Sequence, residues 1–154
     1  MFEHDTTKEN AYRLSRFDEQ HLLSSVSPHP IELEESTWPT AEHYLWVSLV
    51  KNPKYHEAIK AAASGHAAYK LASPWYRSKI DAWKSKRKVL MTRALYIKVQ
   101  MYPEVKETLM ATGDNLILET SLYDHYWGIG RDQRGENIFG EIWMDIRKRL
   151  QASE

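Results

Sequence analysis

The amino-acid sequence predicts a single, predominantly helical α+β domain with a small strand element near its N-terminus. Three observations carry that expectation. The 154 residues suit one domain, large enough to bury about 70% of the surface its unfolded chain exposes. After Trp38, apolar residues recur at three- and four-residue spacing, the period of helices with one buried face. Before Trp38 the signals are short, and Ile31 and Leu33 alternate with Glu32 and Glu34, the period of a half-exposed strand.

Residues 1–16 are polar and read as an N-terminal extension, with the domain over 17–150. Pro28 and Pro30 exclude a helix ahead of the strand. Glu35 and Ser36 then make a turn before Trp38, so the expectation is a hairpin. Pro39 and Thr40 open the first helix, with Thr40 as N-cap and Glu42 in the first turn. Ala41, Tyr44, Leu45, Ser48 and Leu49 share one of its faces. Asn52-Pro53 starts a second helix, and Gly65 ends it. A short helical turn over 67–71 stops before Pro74. The longest helix is expected over 78–100, where Ile80, Trp83, Leu90, Ala94 and Ile97 form a stripe that Arg87 interrupts. Pro103 opens another helix, closing near Thr112-Gly113. Leu116, Ile117 and Leu118 suit a buried strand, and 121–135 reads as a glycine-containing loop. The last helix covers 138–150, with Phe139, Ile142, Trp143, Ile146 and Leu150 on its apolar face.

Composition excludes several classes of function. There are no cysteines, hence no disulfides and no thiolate chemistry. Lys plus Arg equal Asp plus Glu at 21 each, which argues against a protein that coats nucleic acid. No apolar run approaches the ~20 residues of a membrane span. The polar N-terminus lacks an apolar signal core, so a cytoplasmic location is expected. No phosphate-cradling loop, dinucleotide fingerprint, nucleophile elbow or His-Glu-x-x-His pair is present. The seven histidines are scattered, so a zinc site is not expected.

What remains is a set of carboxylates and tryptophans. Trp38-Pro39-Thr40-Ala41-Glu42-His43-Tyr44 places an acid in the first turn of a helix, where it would complement the helix dipole in any protein. Trp83 lies on an apolar helix face and would by default pack in the core. Asp124, followed by Tyr126-Trp127-Gly128-Ile129-Gly130, lies in a loop. An acid beside an indole and glycines suits a flat ring stacked near a carboxylate.

The order of these pieces resembles the YbiA-like, or NADAR, family. The resemblance rests on Trp38-Pro39-Thr40, Glu42-His43-Tyr44, Trp83, Met91, Ala94, Lys98, Thr112-Gly113 and Leu118-Glu119. It continues through Asp124, Trp127-Gly128, Gly130, Gly135, Asn137, Gly140, Met144 and Arg147, spanning about residues 17–150. It implies a compact domain of that family and hydrolysis of an N-glycosidic bond in a phosphorylated riboside, in the context of riboflavin biosynthesis. Water would be the cosubstrate, with no metal or organic cofactor. By the same resemblance Glu42 and Asp124 match essential acids, and Trp83 and Trp127 match pocket tryptophans. The chemistry suits those types. Breaking the bond builds positive charge on the anomeric carbon and ring oxygen, which a carboxylate stabilises. A carboxylate also orients or deprotonates the attacking water. The expected roles are water or oxocarbenium for Glu42 and ribose hydroxyls for Asp124. For the phosphate, Lys98, Arg131 and Arg134 are candidates, each of which is also an ordinary surface charge on the residues alone.

Two departures bear on the substrate. The family's Gln-x-x-Lys after Glu-His-Tyr reads Trp46-Val47-Ser48-Leu49, and its Ser-Asn-Phe segment reads Ser24-Ser25-Val26. Leucine cannot perform covalent lysine chemistry on an opened sugar, which shifts weight away from the family's ADP-ribosyl-removing reaction. That reaction remains the second enzymatic reading. A catalytically silenced nucleotide-binding module and a plain interaction domain are the non-enzymatic ones.

Overall fold

The computed structural model describes residues 9–154. The first part of the expected N-terminal extension, residues 1–8, lies outside them. The later part belongs to the fold. Tyr12–Leu14 forms β1, which pairs in parallel with β4, Ile117–Glu119, placing Tyr12 opposite Ile117 and Leu14 opposite Glu119. All three residues of β4 are buried; the strand lies one residue later than the apolar run Leu116–Leu118, so that Glu119 is buried in it and Leu116 is only half-buried.

The hairpin is present. β2 (Ile31–Leu33) and β3 (Ser36–Trp38) are antiparallel, Ile31 opposite Trp38 and Leu33 opposite Ser36. Because Ser36 pairs with Leu33, the turn is Glu34-Glu35, one residue earlier than expected. Both residues take positive φ, 56° and 60°, the geometry of a two-residue turn that follows strand twist.

Helix α1 is Ala41–Leu49, and Thr40 Oγ1 accepts the backbone N–H of His43 as its N-cap. Ala41 through Trp46 are all buried, so α1 is the central helix and not a surface one. It packs against α2 (His56–Lys60), α3 (Gly65–Ala72) and α4 (Trp83–Met101). A 3₁₀ turn, Pro53–Tyr55, precedes α2.

Two helix boundaries differ from expectation. Gly65 does not end a helix; it opens α3, with Ser64 as N-cap accepting the N–H of Ala67. Glycine is required there because a Cβ would lie 2.7 Å from Val26 Cγ1 and 2.9 Å from Thr40 Oγ1. The longest helix begins at Trp83, five residues after the expected start. Residues 78–80 instead bond to the end of α1: Lys51 N–H donates to Ser78 O, and Ile80 N–H to Leu49 O. Lys79 Nζ ties the same segment together by donating to the carbonyls of Ser73, Pro74 and Arg77. Such long-range bonds leave no trace in hydrophobic spacing.

The remainder follows the sequence. α5 is Pro103–Ala111 and α6 is Ile138–Ala152. Phe139, Ile142, Trp143 and Ile146 of α6 are buried, and Trp143 Nε1 donates to Leu23 O. Among the described residues no helix is long and apolar enough to cross a membrane.

Candidate active site

A cavity of about 170 Å³ opens where α1, α3, α4 and the loop before α6 converge. Each wall has a simple origin. α1 contributes Leu45, Trp46 and Leu49, the neighbouring turns of one face. α4 contributes Trp83 and Arg87, which are stacked one turn apart. Asp124 and Trp127 come from the loop, Tyr69 from α3, and Arg16 from the segment just after β1.

The loop is rigidly placed. Asp124 Oδ1 accepts the backbone N–H groups of Tyr126 (3.0 Å) and Trp127 (2.7 Å), a turn that aspartate closes with its own side chain. Asp124 Oδ2 has no hydrogen bond among the described residues. The carbonyls of Tyr126 and Trp127 accept the N–H groups of Ile138 and Phe139, satisfying donors that the start of α6 would leave unmet. Asn137 then fastens loop and helix to β4: its Oδ1 accepts Glu119 N–H and its Nδ2 donates to Ile117 O, both at 2.9 Å.

Arg16 is buried and held on both sides. Its backbone N–H donates to Glu119 Oε2 at 2.7 Å, and its carbonyl accepts the N–H and hydroxyl of Ser25. Its guanidinium carbon lies 4.5 Å from the Phe17 ring centre and 5.4 Å from that of Trp127, within cation–π range. Nη2 approaches Glu42 Oε1 at 3.3 Å. The same carboxylate oxygen accepts Trp46 Nε1–H at 2.9 Å, while Glu42 Oε2 is buried without a partner. Arg87 lies across the cavity with its guanidinium carbon 3.2 Å from the Tyr126 ring centre and 5.3 Å from that of Trp83. Burial pushes the Tyr126 hydroxyl above the usual tyrosine range, against the opposing pull of Arg87.

Of the residues singled out from the sequence, Asp124, Trp83 and Trp127 line this cavity. Glu42 sits one layer behind, in contact with two wall residues, Arg16 and Trp46. Lys98 lies elsewhere. It is fully buried in α4, where Nζ donates to Ser24 O and Ser27 Oγ. Burial pushes its amine down to about 7. Arg131 and Arg134 are exposed and absent from the wall. Leu49, at the family's lysine position, is a buried piece of the wall, and Ser25 joins Arg16 to Glu42 by accepting Glu42 N–H with its own carbonyl. The sequence reading missed Arg16, Trp46, Tyr69 and the role of Arg87. Only Arg87 left a signal, as the charge that breaks an apolar helical stripe.

A larger groove of about 350 Å³ runs between α4 and α6, with Val89, Tyr96 and Ile142 beside Lys88, Asp145 and Arg149. None of the expected site residues lines it, so volume alone does not locate the chemistry.

One carboxylate and three indoles line this small cavity and a second carboxylate lies just behind it, a set that suits a glycosyl hydrolase, which must stabilise a cationic sugar and not an acyl oxyanion. Its relatives place the molecule among the N-glycosidases. The chain belongs to the NADAR domain family, whose model matches residues 1–151. It is 29% identical over 136 residues to the N-glycosidase YbiA of Escherichia coli (strain K12), covering 88% of this chain and 85% of that one. It is 30% identical over 143 residues to the riboflavin biosynthesis protein PYRR, chloroplastic, of Zea mays, covering 83% of this chain and 23% of the maize protein. The NMR structure of the E. coli protein YbiA aligns with a TM-score of 0.81 and 28% identity, over 92% of this chain and 86% of that one.

Proposed function

We propose that this N-glycosidase hydrolyses the N-glycosidic bond of a phosphorylated riboside of the riboflavin-intermediate type, releasing the base and a sugar phosphate. The observation that carries the reading is the placement of Asp124 on the same small cavity as Trp83 and Trp127, with the Glu42 carboxylate held directly behind.

The groups divide the work by what each has free. Cleavage leaves positive charge on the anomeric carbon and ring oxygen. Negative charge fixed in a water-poor wall stabilises that cation far more than it would in water. Glu42 supplies such charge, oriented through one oxygen by Trp46 and Arg16. Its Oε2 is buried and has no partner within the protein, and is the acceptor we assign to the attacking water. Asp124 Oδ2 is an open acceptor for a ribose hydroxyl. Trp83 and Trp127 offer flat faces to the base and exclude bulk water.

Removal of ADP-ribose fits this cavity less well. No lysine is among the lining residues and Leu49 closes the wall, so no amine is available to attack an opened sugar. About 170 Å³ is also below the ~300 Å³ lower end of common ligand pockets, which favours the smaller substrate.

The test is chromatography of the protein incubated with pyrimidine ribosylamine 5′-phosphates, NAD, ADP-ribose and ADP-ribosylated guanine, with Glu42→Gln and Asp124→Asn alongside. Release of base and sugar phosphate from the phosphorylated ribosides, abolished in the variants, is expected. Release of ADP-ribose alone would replace the reading with the second one. Binding without any product would mark a silenced pocket.

A further inference from the structure

The residues expected to meet the substrate's phosphate, Lys98, Arg131 and Arg134, do not line the cavity. Two other cations do. We propose that Arg87 and Arg16 form the anion seat of this site and select a phosphorylated sugar over a neutral one. The inference rests on the phosphorylated-riboside reading and names the side chains that carry its specificity.

The argument starts from unmet hydrogen bonds. Five buried side-chain nitrogen or oxygen atoms among the described residues lack a partner. Arg16 Nε, Arg16 Nη1, Arg87 Nε and Glu42 Oε2 are four of them, and all belong to this cavity's wall or to the carboxylate touching it. Buried donors without acceptors are rare in folded proteins and each one asks for an explanation. Here three are guanidinium N–H groups, whose natural complement is a phosphate or carboxylate with several acceptor oxygens.

Charge points the same way. The wall carries two guanidiniums against one carboxylate, Asp124. Arg16 is already paired with Glu42, whereas Arg87 makes no ion pair with a described residue. Lys79, whose Nζ lies 6.0 Å from the Trp46 ring centre, is committed to three backbone carbonyls. Both arginines rest on aromatic rings, Arg87 on Tyr126 and Trp83, Arg16 on Phe17 and Trp127. Stacking fixes the guanidinium plane and leaves its N–H edge to meet a ligand. The site is thus divided: acids for the ribose and water, arginines for the anion.

Calorimetric titration with ribose 5-phosphate and with ribose tests this directly, on the wild type and on Arg87→Gln, Arg87→Lys and Arg16→Lys. Circular dichroism establishes that each variant is folded. The wild type is expected to bind ribose 5-phosphate at least about ten-fold more tightly than ribose, the effect of a charge-assisted contact. That ratio should fall to within about two-fold in Arg87→Gln and be partly restored in Arg87→Lys, which keeps the charge and loses the fork. A wild type without the preference, or folded Arg87→Gln and Arg16→Lys proteins that both retain it, would overturn the seat. Preference lost in Arg87→Gln while the wild type cleaves no riboside would support the seat and sink the glycosidase substrate. Cleavage with an unchanged KM in Arg87→Gln would do the reverse.

Discussion

Arg16 Nη2 stands 3.3 Å from Glu42 Oε1 where both side chains are shut off from solvent, at 2% and 0% exposure. The pair joins a segment after β1 to the first turn of α1, and Ser25 clamps both backbones around it. Removing one partner of such a pair strands a buried charge, at a cost of about 3–5 kcal/mol. Arg16→Met should therefore lower the unfolding free energy by that amount in urea titrations. Adding Glu42→Leu should recover part of the loss, with a coupling of more than about 1 kcal/mol in the double-mutant cycle. Additive losses would show that the two residues do not stabilise the fold as a pair.

Asp124 holds its loop and faces the cavity with the same carboxylate, and the two roles separate by substitution. Asp124→Asn keeps an acceptor for the N–H groups of Tyr126 and Trp127 and removes the charge. Its stability should stay within about 1 kcal/mol of wild type, while turnover falls by about 100-fold or more. Asp124→Ala removes the acceptor as well, so amide exchange at Tyr126 and Trp127 should accelerate. Steady-state rates and hydrogen exchange on the two variants check this, and equal exchange in both would remove the loop-holding role.

Lys98 makes stability depend on pH in an uncommon direction. A neutral amine has two N–H groups, which match its two acceptors, Ser24 O and Ser27 Oγ. Burial lowers its pKa to about 7 in the folded protein, against roughly 10.4 in an unfolded chain. Below pH 7 both states carry the proton and the folded state bears the full cost of a buried charge. Between about pH 7 and 10 the unfolded chain binds a proton that the folded one lacks, so stability rises with pH, by up to about 1.4 kcal/mol per pH unit. Urea unfolding at pH 7, 8 and 9 should show this rise in the wild type and a flatter profile in Lys98→Met. Parallel profiles would mean that the amine keeps its proton when folded. His21, His29 and His43 are also held below the ordinary histidine range by burial. They should take stability away as pH falls below about 6.5, where the unfolded chain protonates first.

Gly140 is where α6 crosses β4. A Cβ there would collide with the Ile117 carbonyl oxygen and crowd Asn137 Nδ2 at 2.5 Å. The obstacle is backbone and cannot swing aside, so Gly140→Ala should cost about 3 kcal/mol or more. Because Asn137 joins the site loop to β4, substrate affinity should weaken with it. Thermal unfolding and KM, compared with the exposed-site control Gln151→Ala, measure both effects. A variant as stable as the control would show that the crossing can open.

Local signals in the sequence were dependable. Thr40 capped α1, Pro103 opened α5, and the alternation around Ile31 made the hairpin strand, because each depends on chemistry within a few residues. Trp83, Trp127 and Asp124 were singled out through the family resemblance, since Trp83 by itself reads as a core residue, and the fold brings all three to one cavity. Gly65 misled because a glycine ends helices when the left-handed conformation is needed, and here it was needed for close approach to Val26 and Thr40, far off in the chain. Lys98 misled because a lysine on a helix reads as solvated until its acceptors, Ser24 and Ser27, are brought to it.

The sequence by itself determined the helical α+β class, most of the elements and the N-glycosidase kinship, and through that kinship it nominated Glu42, Asp124, Trp83 and Trp127 for the site. Only the tertiary structure decided which charges meet in the cavity. It set Arg16 against Glu42, moved Lys98 into the core, left Arg131 outside and put Arg87 on the wall. The physical reason is that helix caps and strand periods are settled by neighbours along the chain. The partner of a buried charge is settled by folding, which brings together groups such as Arg16, Trp46 and Trp127 that no spacing rule connects.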